Sequence, residues 1–164
     1  MRITSDGKVY RRAKKVYANR DVYDGEFLDG LRHGSGTLVY SNNDRYTGEF
    51  EKNLFHGYGV MTWVPYKDED SGISYIGRRY EGGFKNGRMH GKGVFLIGNG
   101  DVYSGHFAKG LYHGEGTLKK KIGESYVGEW SRGKPGGLIK INYVNGDIFE
   151  GMTLSGKVSP FTSN

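Results

Sequence analysis

Four histidines recur just ahead of a pair of glycines, in His33-Gly34-Ser35-Gly36, His56-Gly57-Tyr58-Gly59, His90-Gly91-Lys92-Gly93 and His113-Gly114-Glu115-Gly116. A row of imidazoles first suggests metal binding. Zinc holds its nitrogens at about 2 Å, whereas equivalent residues on successive β-hairpins stand two strands, about 9–10 Å, apart. Neighbouring units cannot share an ion, so each His is expected to pack with a backbone partner. Gly128-Glu129-Trp130-Ser131-Arg132-Gly133-Lys134 imitates a phosphate loop, but Pro135 stands where Ser or Thr should hold magnesium, and no helix pattern follows. Asp68, Asp70 and Gly72 have the start of a calcium loop, yet Arg79 occupies the place of the bidentate Glu. The chain has no Cys, which removes thiolate ligands, a cysteine nucleophile and disulfides together. Nothing orders Ser and His into a triad. The expectation is a non-enzyme with no metal and no cofactor.

The elements that carry these residues are short strands. Gly occurs 29 times and Tyr 13 times in 164 residues, while only 35% of the chain is hydrophobic. Glycine with scarce apolar residues is the composition of disorder, but an aromatic content of 14% argues for a packed repeat. Aligned on Tyr, the chain falls into register at Tyr23, Tyr46, Tyr80, Tyr103 and Tyr126. Gly follows two residues later at Gly25, Gly48, Gly82, Gly105 and Gly128, then an aromatic at Phe27, Phe50, Phe84, Phe107 and Trp130. A turn comes next (Gly30, Asn53, Gly87, Gly110, Gly133), then His-Gly-x-Gly, then β-formers such as Val60-Met61-Thr62-Trp63. The period is two, not 3.6, so Tyr, Gly and Phe share one face of a strand. Asp29-Gly30 and Asn86-Gly87 are hairpin turn steps. Second turns close the units at Asn43, Gly100, Gly123 and Gly146. The glycines at fixed places are expected to make room for Tyr and Phe rings, so that Val at Gly91 or Gly114 would overpack against a ring.

Tyr-x-Gly-x-Phe-x-x-Gly-x-x-His-Gly-x-Gly at a 23-residue period resembles the MORN (membrane occupation and recognition nexus) repeat. The resemblance implies an all-β fold: an elongated, single-layer antiparallel sheet of stacked 23-residue hairpins with a groove along one face. Residues 1–22 are expected to form a degenerate N-terminal cap, 23–148 five repeats, and 149–164 a degenerate cap and tail, where Phe149, Gly151 and Gly156 begin a sixth unit that fails. An insertion near 64–75 departs from the pattern. The family's roles imply a scaffold that binds a protein partner at the cytoskeleton–membrane interface. Its members also imply two alternatives: an adaptor for anionic phospholipid, and the regulatory region of a larger enzyme such as a phosphatidylinositol-phosphate kinase.

Three sets of residues follow as candidates. Tyr23, Phe27, Tyr46, Phe50, Tyr80, Phe84, Tyr103, Phe107, Tyr126 and Trp130 are expected to line the groove with ring edges partly open to an extended or helical segment of a protein. Tyr40, Trp63, Tyr66, Asp68, Asp70 and Tyr75 gather at the insertion edge, where loops carry specificity. The net charge of +6 includes two clusters, Arg11, Arg12, Lys14 and Lys15, then Lys119, Lys120 and Lys121, which would serve an anionic membrane surface. Nucleic acid is not expected, because the aromatics are already accounted for by packing between units. An open sheet leaves edges that invite a homodimer through Arg11–Tyr17 or Asp147–Leu154. No signal peptide or membrane-spanning run is read, so the cytoplasm is the expected compartment, at the cytoskeleton or on the inner face of a membrane.

Overall fold

The computed structural model describes residues 2–3, 7–154 and 157–160. Residues 1, 4–6, 155–156 and 161–164, which include Gly156 and parts of both expected caps, lie outside the described residues. The strands are β1 (Arg2–Ile3), β2 (Val9–Val16), β3 (Val22–Leu28), β4 (Leu31–Val39), β5 (Arg45–Glu51), β6 (Leu54–Trp63), β7 (Tyr66–Lys67) and β8 (Ser74–Tyr75). They continue as β9 (Arg78–Lys85), β10 (Arg88–Leu96), β11 (Val102–Ala108), β12 (Leu111–Lys119), β13 (Ser125–Ser131), β14 (Lys134–Asn142), β15 (Ile148–Leu154) and β16 (Lys157–Pro160). All but β7 and β8 form one 14-stranded antiparallel sheet in sequence order, and the described residues contain no helix. The insertion is a small hairpin, β7 with β8, and β6 pairs directly with β9 across it.

Turn chemistry sets the meander. Both central residues of each short turn have positive φ: Asp29-Gly30, Lys52-Asn53, Asn86-Gly87, Lys109-Gly110 and Arg132-Gly133. That twist matches the right-handed twist of the strands. On the opposite edge, Asn99 and Asp101 brace a longer turn, with the Asp101 N–H donating to Asn99 Oδ1 at 2.9 Å. Asn19–Asp21, Asn42–Asp44 and Asn145–Asp147 repeat this arrangement. The same aspartates reach into the next unit, where Asp21, Asp44 and Asp101 each accept a backbone N–H at 2.9 Å, from Ser41, Val64 and Lys121.

The core lies on one face of this single layer. Tyr23, Tyr46, Tyr80 and Tyr103 are 0% exposed, and Phe27, Phe50, Phe84, Phe107 and Trp130 no more than 6%. Each Tyr meets the aromatic of its own unit and of the next, edge to face. Tyr46 stands 5.0 Å from Phe50 and 5.1 Å from Phe84, and Tyr80 stands 5.1 Å from Phe84 and 5.0 Å from Phe107. The chain of rings crosses the insertion unbroken. Each such pair is worth about 0.5–1.5 kcal/mol beyond its buried area.

The rings lie flat because glycine is beneath them. A line of cross-strand partners runs Gly25, Gly36, Gly48, Gly59, Gly82, Gly93, Gly105, Gly116 and Gly128, one residue per strand. A Cβ at Gly93 would come within 2.5 Å of the Tyr80 hydroxyl. The first glycine of His-Gly-x-Gly has a different task. Gly91 has no atom within 4 Å of a would-be Cβ, but its φ is +69°. The motif is a β-bulge: Gly105 opposes Gly116 and His106 opposes His113, leaving Gly114 and Glu115 over. The expectation that Gly91 and Gly114 shelter rings is therefore corrected: their constraint is the backbone, and the ring-bearing glycines are the ladder. The bulge carbonyls are met by tyrosine hydroxyls, as Tyr23 donates to Glu26 O at 2.9 Å and Tyr80 to Gly83 O at 2.9 Å.

Candidate functional site

The structure spends nearly the whole aromatic row on the core. Tyr23, Phe27, Tyr46, Phe50, Tyr80, Phe84, Tyr103, Phe107 and Trp130 are buried, so they offer no open ring edges to a ligand. A second layer of side chains covers the tyrosines: Phe55 stacks on Tyr46 at 3.8 Å, Tyr112 on Tyr103 at 3.8 Å, and the Arg32 guanidinium lies 5.9 Å from the Tyr23 ring centre. Burial pushes the Tyr23, Tyr80 and Tyr103 phenols up to about 12. Tyr126 is the exception. Ile139 stands where the other units have glycine, opposite Gly128. Tyr126 stays half-buried and its hydroxyl turns to Glu124 Oε2 at 3.2 Å, instead of to a bulge carbonyl.

The insertion residues divide into two groups. Tyr40 and Trp63 share the wall of a shallow depression of about 560 Å³ with Asp21, Asp44 and Met61. Trp63 is partly engaged there, with Arg78 4.9 Å over its ring and Phe95 at 5.9 Å. Tyr66 and Tyr75 stack on each other at 4.8 Å across the small hairpin. Asp68 closes that hairpin by accepting the Asp70 and Ser71 N–H groups at 3.0 and 2.9 Å, and the Ser71 amide holds its carboxyl below the usual range. Asp70 is exposed at the tip. No group of three or more metal-ligating side chains is found among the described residues. Of the four histidines, His56 sets Nδ1 3.2 Å from Glu51.

The basic clusters sit at separate places. Arg11, Arg12, Lys14 and Lys15 are exposed along β2, with Arg11 5.4 Å over Phe27 and Lys15 5.0 Å over Tyr17. Lys119 and Lys121 are exposed, but Lys120 is tied to the buried Asp101. Burial works to raise the Asp101 pKa, yet Lys120, the Lys121 amide and Asn99 together hold it below the usual range.

The face opposite the rings carries what the sequence reading missed. An open trough of about 760 Å³ runs across the strands there, floored by Gly82, Gly93, Gly105, Gly116 and Gly128. Its walls come from residues of opposite parity to the core. Tyr58, Val94, Val127 and Leu138 are between 40% and 56% exposed along it. At one end the Tyr58 hydroxyl donates to Glu81 Oε1 at 2.6 Å and Arg79 pairs with Glu81 Oε2 at 2.6 Å. That hydrogen bond lowers the Glu81 pKa and raises that of Tyr58. Lys92 faces His106, and Glu115 faces Glu129, as direct cross-strand partners.

The repeat length, the glycine ladder and the ring row decide the family. The MORN repeat profile matches residues 23–45, 46–66, 80–102, 103–125 and 126–147. The chain belongs to the MORN-repeat family. The gap between the second and third MORN repeats, residues 67–79, holds all of the β7–β8 hairpin but its first residue, Tyr66. A search of curated proteins gave no match. No helix among the described residues is long and apolar enough to cross a membrane.

Proposed function

We propose that this MORN-repeat protein is a non-catalytic scaffold whose trough holds a segment of a protein partner at the cytoskeleton–membrane interface. The trough carries this reading: four apolar side chains stand exposed along it, Val94 and Val127 on one side of the glycine ladder and Tyr58 and Leu138 on the other. Isolated exposed apolar residues are ordinary, but apolar side chains gathered along one trough and rimmed by charge mark an interaction surface. The glycine floor lets a partner's backbone approach closely. Tyr40, Trp63, Tyr66 and Tyr75 form a second contact zone at the insertion edge. The test is capture of a partner by the wild-type chain, a Val94→Asp/Val127→Asp variant, and a Trp63→Ala/Tyr66→Ala variant. The trough variant should lose capture while keeping its melting temperature. Full capture by that variant would move the site to the insertion.

A membrane-surface reading has one observation in its favour. Ile122 and Val144 are 67% and 66% exposed at neighbouring turns beside Lys119 and Lys121. Basic residues near an anionic surface contribute about 1 kcal/mol each. Sedimentation with phosphatidylserine vesicles over a salt series checks it, because such binding fades steeply with salt.

A further inference from the structure

We infer that β2 takes an acidic, extended protein segment as an added antiparallel strand along its outer edge, from Arg12 to Val16. The inference does not depend on the trough. Hydrogen bonds at the two ends of the β2–β3 hairpin fix which way the backbone of β2 points. The Tyr17 N–H donates to Asp21 O at 2.9 Å, and the Asp29 N–H to Val9 O at 3.1 Å. Bonded and non-bonded residues alternate along an antiparallel pair, and the register runs without a break from Tyr10 opposite Leu28 to Val16 opposite Val22. The N–H and C=O groups of Val9, Arg11, Ala13 and Lys15 therefore turn inward to β3, and those of Tyr10, Arg12, Lys14 and Val16 turn outward. Strand β1 pairs with Val9 and Tyr10. Arg12, Lys14 and Val16 present their main chain to no described neighbour, and an open row of this kind is a template for another strand.

The side chains choose the occupant. Strand β2 carries Arg11, Arg12, Lys14 and Lys15 and no acid. Alternation puts Arg11 and Lys15 on the ring face, where they already cover Phe27 and Tyr17. Arg12 and Lys14 fall on the opposite face. Arg12 reaches Asp24 only at 3.9 Å, and Lys14 has no ion pair among the described residues. Charge speaks against a second copy of the chain. Two β2 strands paired antiparallel about Ala13 would set Arg12 against Lys14 and Arg11 against Lys15, and like charges directly opposed repel. A flat anionic surface laid on either face would meet one pair of cations and leave the outward main-chain groups unanswered. A strand with an acid at every second residue answers both. Its acids stand opposite Arg12 and Lys14 and exchange main-chain hydrogen bonds with them. The residue between the acids lies beside Ala13, which packs on the hydrophobic core, so an apolar side chain fits there.

The test uses a fluorescein-labelled peptide, Thr-Glu-Val-Glu-Val-Glu-Thr, against the same peptide with Gln for Glu, read by fluorescence anisotropy on the full chain. The Glu peptide should bind at least tenfold tighter, and Arg12→Gln/Lys14→Gln should erase that difference. Val16→Pro keeps every cation and removes one outward N–H, a change that an edge strand tolerates. It should weaken binding at least tenfold at an unchanged melting temperature. N-methylated peptides give the same reading without altering the protein: methyl groups on the Glu nitrogens should abolish binding, and on the Val nitrogens leave it. Any other methylation pattern would overturn the antiparallel strand, as would full binding by a folded Val16→Pro. Equal binding of the Glu and Gln peptides would overturn the acidic occupant. Val94→Asp/Val127→Asp should bind the Glu peptide as the wild type does, so a failure of the trough and a failure of this edge are told apart. Loss of binding in that variant would move the peptide to the trough and overturn the inference. Displacement by phosphatidylserine vesicles would assign the cations to a membrane, and a dimer that Val16→Pro dissolves would assign the edge to a second copy, each with the same consequence.

Discussion

Replacing Gly93 by Ala drives a methyl group against the Tyr80 hydroxyl, which has nowhere to retreat beneath Phe84 and Phe107. The expected cost is ~1–3 kcal/mol from overpacking, and about 1 kcal/mol more if the Tyr80 bond to Gly83 O is lost. Gly91→Ala, two residues away, should cost ~1–2 kcal/mol through its left-handed backbone alone. Asn tolerates that conformation, so Gly91→Asn should recover part of the loss, whereas Gly93→Asn should be worse than Ala. Urea denaturation of the four variants checks this. The buried phenols give a second prediction. Tyr23, Tyr80 and Tyr103 ionise near 10 when unfolded and at about 12 when folded. Their contribution to stability is whole below pH 10 and falls as pH rises through about 12, because the unfolded chain releases the proton first. Tyrosinate absorbance should therefore appear together with loss of the β-sheet circular dichroism signal. An earlier tyrosinate rise covering these residues would show that the rings are open to solvent.

The β7–β8 hairpin is an element apart. It stacks Tyr66 on Tyr75 and forms its own two-stranded sheet, while Tyr46 and Phe84 carry the ring row past it. Deleting Tyr66–Tyr75 and rejoining the ends with two glycines should change the melting temperature by only a few degrees. A large loss would mean that the hairpin helps to hold Trp63 and Arg78 in place. The hairpins themselves were legible in the sequence, because turn steps and period-two aromatics are written in residue types that recur. The layer over the tyrosines was not. Arg32, Phe55, Met89, Tyr112 and Pro135 share a position two residues past each short turn, yet they share no chemistry by which to align them. The trough was hidden for a related reason. Its walls are the residues between the fixed ones, Glu81, Val94, His106 and Val127 among them, and these vary from unit to unit. The burial of the rings followed from neither, since a single sheet has no opposing layer in its sequence pattern to announce which face is dry.

The whole molecule is held together by neighbours only. Each hairpin packs on the one before and the one after, so stability is a sum over units and interfaces. Removing residues 103–125 should leave a shorter, folded sheet whose urea m-value falls roughly in proportion to its length. Complete unfolding would reveal a cooperative core that the ring row does not show. The two ends differ. Beyond Tyr10, strand β2 has no described neighbour on its outer side, so Arg11–Val16 is an open edge. At the other end β16 covers Gly151–Leu154, so within the Asp147–Leu154 segment expected to be an edge only Ile148–Glu150 of β15 has no described neighbour on its outer side. The glycine ladder has one more effect, which is metrical. It places one residue per strand and two strands per unit, so equivalent wall positions recur every ~9.6 Å. A left-handed polyproline chain turns once every three residues, in about 9.3 Å. The two periods are commensurate. A partner with a three-residue repeat would present the same edge to every unit it crosses, and the array would act as a ruler marked in triplets.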